Sequence, residues 1–81
     1  MKERPIELRL WRQFLAVTEE LHFGRAARRL HMTQPPLTQA IALLERHLGV
    51  RLFERSKRSV QLTPSGAALV PEVQEIGRAH V

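Results

Sequence analysis

Apolar positions recur at helical spacing through the first third of the chain. Leu8, Trp11, Phe14, Leu15, Thr18 and Leu21 fall three and four apart, which predicts one face of an amphipathic helix over about residues 6–20. Arg9, Arg12, Gln13, Glu19 and Glu20 fall mostly on the other side, and Trp11 and Phe14 are expected in the core. Residues 21–24 break the pattern. Gly24 is an acceptable N-cap for a short second helix over residues 25–31, whose Ala26 and Ala27 allow another helix to come close. After a brief connection, Thr33 or Gln34 opens a third helix with Pro35 and Pro36 in its first turn, where missing N–H groups are tolerated. Leu37, Ile41, Leu44 and Leu48 form its buried stripe, and Gly49 ends it. The period then changes to two. Residues 50–55 and 60–63 read as short strands joined by Ser56-Lys57-Arg58-Ser59, a hairpin with a basic tip. Thr63-Pro64 starts a last helix with Ala67, Leu69, Val70 and Val73 on its apolar side. Pro71 should bend or fray that helix, and Gly77 should close it.

The predicted order is a mostly α architecture: a three-helix core, a small β-hairpin wing and the start of a further helix. Two helices joined by a turn of three or four residues make a helix-turn-helix, and a hairpin behind the second helix makes it winged. The major groove of DNA admits one α-helix, whose first turns meet base edges. Polar, uncharged side chains suit that place, and Gln34, Thr38 and Gln39 supply them. The N-terminus of such a helix also suits a phosphate.

Composition narrows the options. The 81 residues make one domain. The chain has no cysteine, which removes disulfides, thiolate metal sites and cysteine nucleophiles and suits a reducing compartment. No apolar run approaches the roughly 20 residues of a membrane span, and the charged, alternating N-terminus is not a signal peptide. The net charge is +5, and eight bases against two acids lie in residues 24–63, which points to a polyanionic partner. The four histidines show no metal-ligand spacing, Ser65-Gly66 lacks a nucleophile elbow, and Glu19-Glu20 reads as a solvated helix end. An enzyme, a metal site and a cofactor are therefore not expected. An RNA-binding winged helix is the competing reading, though it would bring exposed aromatics, and the few aromatics here lie on apolar faces. A protein-binding winged helix would favour an acidic or apolar third helix.

The segments FGRAARRLH (23–31), TQPPLT (33–38), LERHLGVRLFER (44–55) and LTPSG (62–66) form one long ordered pattern. It resembles the N-terminal DNA-binding domain of LysR-type transcriptional regulators over about residues 7–75. The resemblance implies a winged helix-turn-helix at 1–63 and, at 64–75, the start of a linker helix that pairs antiparallel in a homodimer. It also implies a separate effector domain that this chain lacks, so a small-molecule effector would act only through that missing part. It carries base readout in double-stranded DNA to Gln34, Pro35, Thr38 and Gln39, and backbone contacts to Arg25, Thr33, Arg55, Lys57 and Arg58. It implies a cytoplasmic protein on the nucleoid. Leu69, Val70 and Val73 have little core left to cover within one protomer, so they are expected to bury against the partner's helix. Two positions depart from the family. Position 39 is often arginine but is Gln39 here, and position 40 is often polar but is Ala40, so the preferred sequence does not carry over. The final heptad, residues 75–81, leaves the linker-helix pattern and matches read-through of a sequencing adapter. Residues 76–81 are thus expected to be a non-native tail, and the chain a gene fragment that dimerises poorly or has no function of its own.

Overall fold

The computed structural model describes residues 8–79, with side chains to Ile76; expectations for residues 1–7 and 80–81 lie outside the described residues. The order is α1 (Leu8–Glu20), α2 (Phe23–Arg29), α3 (Gln34–Leu48), β1 (Phe53–Arg55), β2 (Val60–Leu62) and α4 (Pro64–Ala79). This is the mostly helical, winged arrangement that the periodicities predict.

The core forms where the apolar stripes of α1, α2 and α3 converge. Phe14 and Val17 meet Ala26 and Ala27, whose lack of bulk lets α2 approach, and Leu37, Ile41 and Leu44 close the third side. Phe53 from the start of β1 inserts among them. Its ring centroid lies 5.6 Å from Phe14 and 6.1 Å from Phe23, the latter edge-on. Such aromatic pairs add about 0.5–1.5 kcal/mol beyond the area they bury. The wing is therefore rooted in the core by a side chain on its first residue. The strands pair antiparallel, Phe53 with Leu62, Glu54 with Gln61 and Arg55 with Val60.

Several local expectations are corrected. The cap of α2 is His22, not Gly24: His22 Nδ1 accepts the Arg25 N–H at 3.0 Å, so α2 begins two residues early. Leu21 leaves the apolar face, because it adopts a left-handed φ of 48° beyond α1 and is exposed. Gln13, expected outward, is buried and donates from Nε2 to Met32 Sδ at 3.6 Å. The first strand loses residues 50–52. The Leu52 and Phe53 amides donate to Glu45 Oε2 at 2.8 and 3.2 Å, and the Leu52 carbonyl accepts from Thr63 N–H at 3.0 Å. The Leu52 amide is thus unavailable across the hairpin, although the Leu52 carbonyl still accepts from Thr63 there.

Two corrections concern α4. It runs through both Pro71 and Gly77 to Ala79, so the expected end at 75–76 is not there. One interior glycine costs a helix only about 1 kcal/mol. Its apolar side is also covered within the same chain. Val73 is 1% exposed as part of the core, and Leu69 and Val70 pack partly buried against it. The expectation of little core within one protomer is corrected for Val73, which α4 carries back against α1, while Leu69 and Val70 stay half-buried.

The start of α4 is tied down by short-range polar contacts. Thr63 Oγ1 donates to the Arg51 carbonyl at 2.6 Å and accepts the Gly66 N–H at 3.0 Å. A Cβ on Gly66 would lie 2.4 Å from the Leu52 carbonyl oxygen. Only glycine lets α4 pass the segment leading into the wing at this distance.

Candidate nucleic-acid interface

The turn before α3 determines what its first residues can offer. Leu30 N–H closes α2 on Ala26 and Ala27, Met32 N–H returns to the Ala27 carbonyl at 2.9 Å, and His31 takes a φ of 59°. Thr33 then has the extended backbone of an N-cap, yet its hydroxyl makes no cap bond. The reason is chemical. An N-cap side chain bonds the N–H of the second or third helical residue, and here those residues are Pro35 and Pro36. The prolines leave the Thr33 hydroxyl unspent. They also remove two of the donors that a helix N-terminus would present to a phosphate, so the helix end itself is a poorer anion site than expected.

Leu37, Ile41 and Leu44 point α3 into the core, which turns the opposite side outward. Gln34, Pro35, Thr38 and Gln39 line one shallow depression of about 390 Å³ there. Gln34, Pro35 and Gln39 are exposed and Thr38 is half-buried. A second cleft of about 320 Å³ lies between the helices and the wing, with Gln34, His22 and Gly24 on one side and Arg55, Lys57 and Arg58 on the other. Gln34 belongs to both depressions and so stands at their shared corner.

The wing tip is a turn held by its own serines. Ser56 N–H donates to the Ser59 carbonyl at 2.9 Å, and Ser56 Oγ accepts the Ser59 N–H at 3.1 Å. Lys57 and Arg58 are exposed, and neither has an acidic partner among the described residues. Arg55, at the wing's base, sits over the Phe23 ring at 4.7 Å from its centroid, a contact that holds the guanidinium at the cleft wall.

The predicted contact residues thus divide. The four of α3 share one surface, Thr33 adjoins them, and Arg55, Lys57 and Arg58 line the cleft beside them. Arg25 is set apart. Its Nε lies 3.4 Å from Glu20 Oε1 and its Nη2 donates to the Glu20 carbonyl at 3.0 Å. Arg29 is engaged by Glu19 and Glu20, and the hydrogen bond and charge of Glu19 foremost hold its guanidinium above the ordinary value. Glu19 and Glu20 are therefore clamps between α1 and α2, not merely a solvated helix end. Sequence reasoning missed two residues. His22 lines the cleft, and its signal is an imidazole three residues before the amide it caps. Glu45 joins α3 to the wing, and its signal is a lone acid seven and eight residues before the amides it accepts. Among the described residues no group of histidines and carboxylates could hold a metal ion, and no helix is long and apolar enough to cross a membrane.

Comparison with known proteins agrees with this geometry. Residues 8–67 match the family described as bacterial regulatory helix-turn-helix protein, lysR family. The chain is 54% identical over 79 residues to the HTH-type transcriptional regulator TfdS of Cupriavidus pinatubonensis, covering 94% of this chain and 27% of that protein. It therefore spans only about a quarter of that relative's length. It superposes on the crystal structure of the CbnR DNA-binding domain in complex with DNA with a TM-score of 0.89 and 40% identity, covering 93% of this chain and 86% of that one. The BenM DNA-binding domain with catB site 1 DNA gives a TM-score of 0.87 and 40% identity, covering 91% and 82%.

Proposed function

The chain belongs to the LysR family of bacterial regulatory helix-turn-helix proteins, a family of transcriptional regulators and not of enzymes, and from that premise we propose that it binds double-stranded DNA in a sequence-dependent way. The first turns of α3 enter the major groove, where Gln34, Thr38 and Gln39 meet base edges and Pro35 packs against them. Glutamine pairs bidentately with adenine, and threonine can donate to a base edge or press its methyl group on thymine. Thr33, Arg55, Lys57 and Arg58 hold the backbone. Arg25 contributes less than the family pattern implies, because Glu20 already engages it.

One observation carries this reading. Four uncharged side chains share a single outward depression, and it adjoins a basic cleft whose tip residues have no acidic partner among the described residues. Such a surface gives base readout at its centre and phosphate positioning at its edge. Pairing of two copies through α4 would set two such surfaces about 34 Å apart along a duplex. Leu69 and Val70, only half-buried, are the residues left for that contact, whereas Val73 is already covered.

The test is a titration of duplex DNA at several salt concentrations, followed by selection of bound duplexes from a random pool. Contact with a few phosphates per protomer predicts a log–log salt slope of about −3 to −5. A flat salt response, or equal affinity for RNA competitor, would remove the duplex reading.

A further inference from the structure

We propose that His22 is a further DNA-backbone contact, its imidazole Nε2–H donating to a phosphodiester oxygen seated in the cleft between α2 and the wing. The proposal rests on the duplex-binding reading above and deepens it. Its starting point is a hydrogen bond that decides where the ring's hydrogen sits. The Arg25 amide donates to His22 Nδ1 at 3.0 Å. A ring nitrogen that accepts carries no hydrogen, so the ring N–H is at Nε2, which is then a donor. The side chain is exposed, and among the described residues nothing accepts from it. It lines the cleft opposite Arg55, Lys57 and Arg58.

The ring's position is set by its neighbours. A Cβ on residue 24 would lie 3.0 Å from His22 Cε1 and 3.4 Å from Nδ1, so the glycine at 24 is what leaves the imidazole its place. The same point lies 3.5 Å from Gln34 Oε1, which puts the ring beside the side chain common to both depressions. The main chain at the start of α2 has two of its first four amides already engaged. The Arg25 N–H is taken by His22 Nδ1, and the Ala26 N–H by the His22 carbonyl at 3.0 Å. The side-chain ligand groups are a directional donor on the helix side and three cations on the wing side. An anion held between them must also be continuous with whatever meets Gln34. A phosphodiester of a strand whose bases lie against α3 satisfies both conditions.

Two near-isosteric substitutions separate the imidazole's two nitrogens. His22→Asn puts Oδ1 where Nδ1 stands and keeps the cap, but has no donor at the Nε2 position. His22→Gln reaches the Nε2 position with an N–H and leaves the cap empty. The probe is a mixed-sequence duplex about three helical turns long. It is titrated against the full chain by fluorescence anisotropy at several salt concentrations, with thermal melts of each variant to choose a temperature at which all are folded. His22→Asn should melt with the wild type and bind about tenfold more weakly on every sequence. His22→Gln should melt earlier, yet bind within about threefold of the wild type. If the wild type binds with a steep salt dependence and His22→Asn binds equally well, the His22 contact is overturned and the duplex reading stands. If the wild type shows no salt-dependent duplex binding, both are overturned together.

Discussion

The two ends of α3 use their polar groups in opposite ways. At the C-terminal end, where the helix meets the wing and α4, polar atoms are consumed inside the chain. Glu45 accepts two backbone amides, Thr63 both donates and accepts, and Gly66 lies against a carbonyl with no room for a side chain. At the N-terminal end the polar atoms are unspent. Thr33 has no amide to cap, and among the described residues the Gln34 and Gln39 amides have no partner and Lys57 and Arg58 face no acid. A buried polar group without a partner costs about 1–3 kcal/mol, whereas an exposed one is satisfied by water. The joint therefore answers to folding, and the outer surface is free to answer to another molecule. Substitutions at the two ends should accordingly fall into two separable classes.

The largest effect is expected at Gly66. In an open helix, Gly→Ala gains about 1 kcal/mol of helix propensity. Here the added Cβ would meet the Leu52 carbonyl oxygen at 2.4 Å and Leu62 Cδ2 at 2.8 Å. Backbone must move, so Gly66→Ala should destabilise the fold by about 3 kcal/mol in urea unfolding. A neutral or stabilised variant would mean that α4 slides off the wing at no cost, and the joint would no longer count as rigid. Glu45→Ala comes next. It leaves the Leu52 and Phe53 amides without their acceptor and should cost about 2 kcal/mol by the same measurement. Base preference, read on a selected duplex below the melting range, should stay unchanged in both variants. A shifted preference would show that the joint takes part in reading and would break the division.

How far the chain's pattern foretells this arrangement depends on whether the rule is local. The third helix is legible because its stripe, its first-turn prolines and its closing glycine all act within a few residues. The outward residues of its first turns are legible only in part: Pro35 and Gln39 lie across the helix from Leu37, Ile41 and Leu44, whereas Gln34, three residues before Leu37, is exposed because it stands at the helix's first turn. Residues 50–52 mislead because alternation is a local signal, while the acceptor of the Leu52 amide lies on another element. The partner of Arg25 is illegible for the same reason: its acid is at the end of α1. Val73 shows a different gap. An amphipathic stripe says which side of a helix is covered, but not whether its own chain or a second one covers it. His22 is legible as a residue that packs or caps near the second helix, but its place in the cleft is not, because the wing that forms the other wall lies far along the chain.

On the outer surface the effects should be smaller and should appear in binding alone. Gln34→Ala should leave stability within about 0.5 kcal/mol. It should cost about 1–2 kcal/mol on the preferred duplex and much less on random DNA, measured as paired titrations. An equal loss on both would move Gln34 from reading to positioning. Its place in the wing cleft as well as in the α3 depression is what makes that outcome worth distinguishing.

The smallest change is expected from the wing tip. The turn is held by Ser56 and Ser59 through backbone and hydroxyl groups, so the Lys57 and Arg58 side chains contribute little to keeping it folded. Replacing both by Ala should leave the unfolding midpoint unchanged and stability within about 0.5 kcal/mol. Removing one cation from a phosphate should flatten the log–log salt slope by about one, so the double variant should flatten it by about two. Affinity should fall alike on every duplex, because a cation on a phosphate positions the domain without reading bases. Arg55→Ala provides the contrast within the same wing. Its stacking on Phe23 means that removing it should also cost about 0.5–1 kcal/mol of stability. If the tip variants instead bound more weakly only on the preferred duplex, the wing would be reading sequence. The surface would then not divide into a reading helix and a positioning wing.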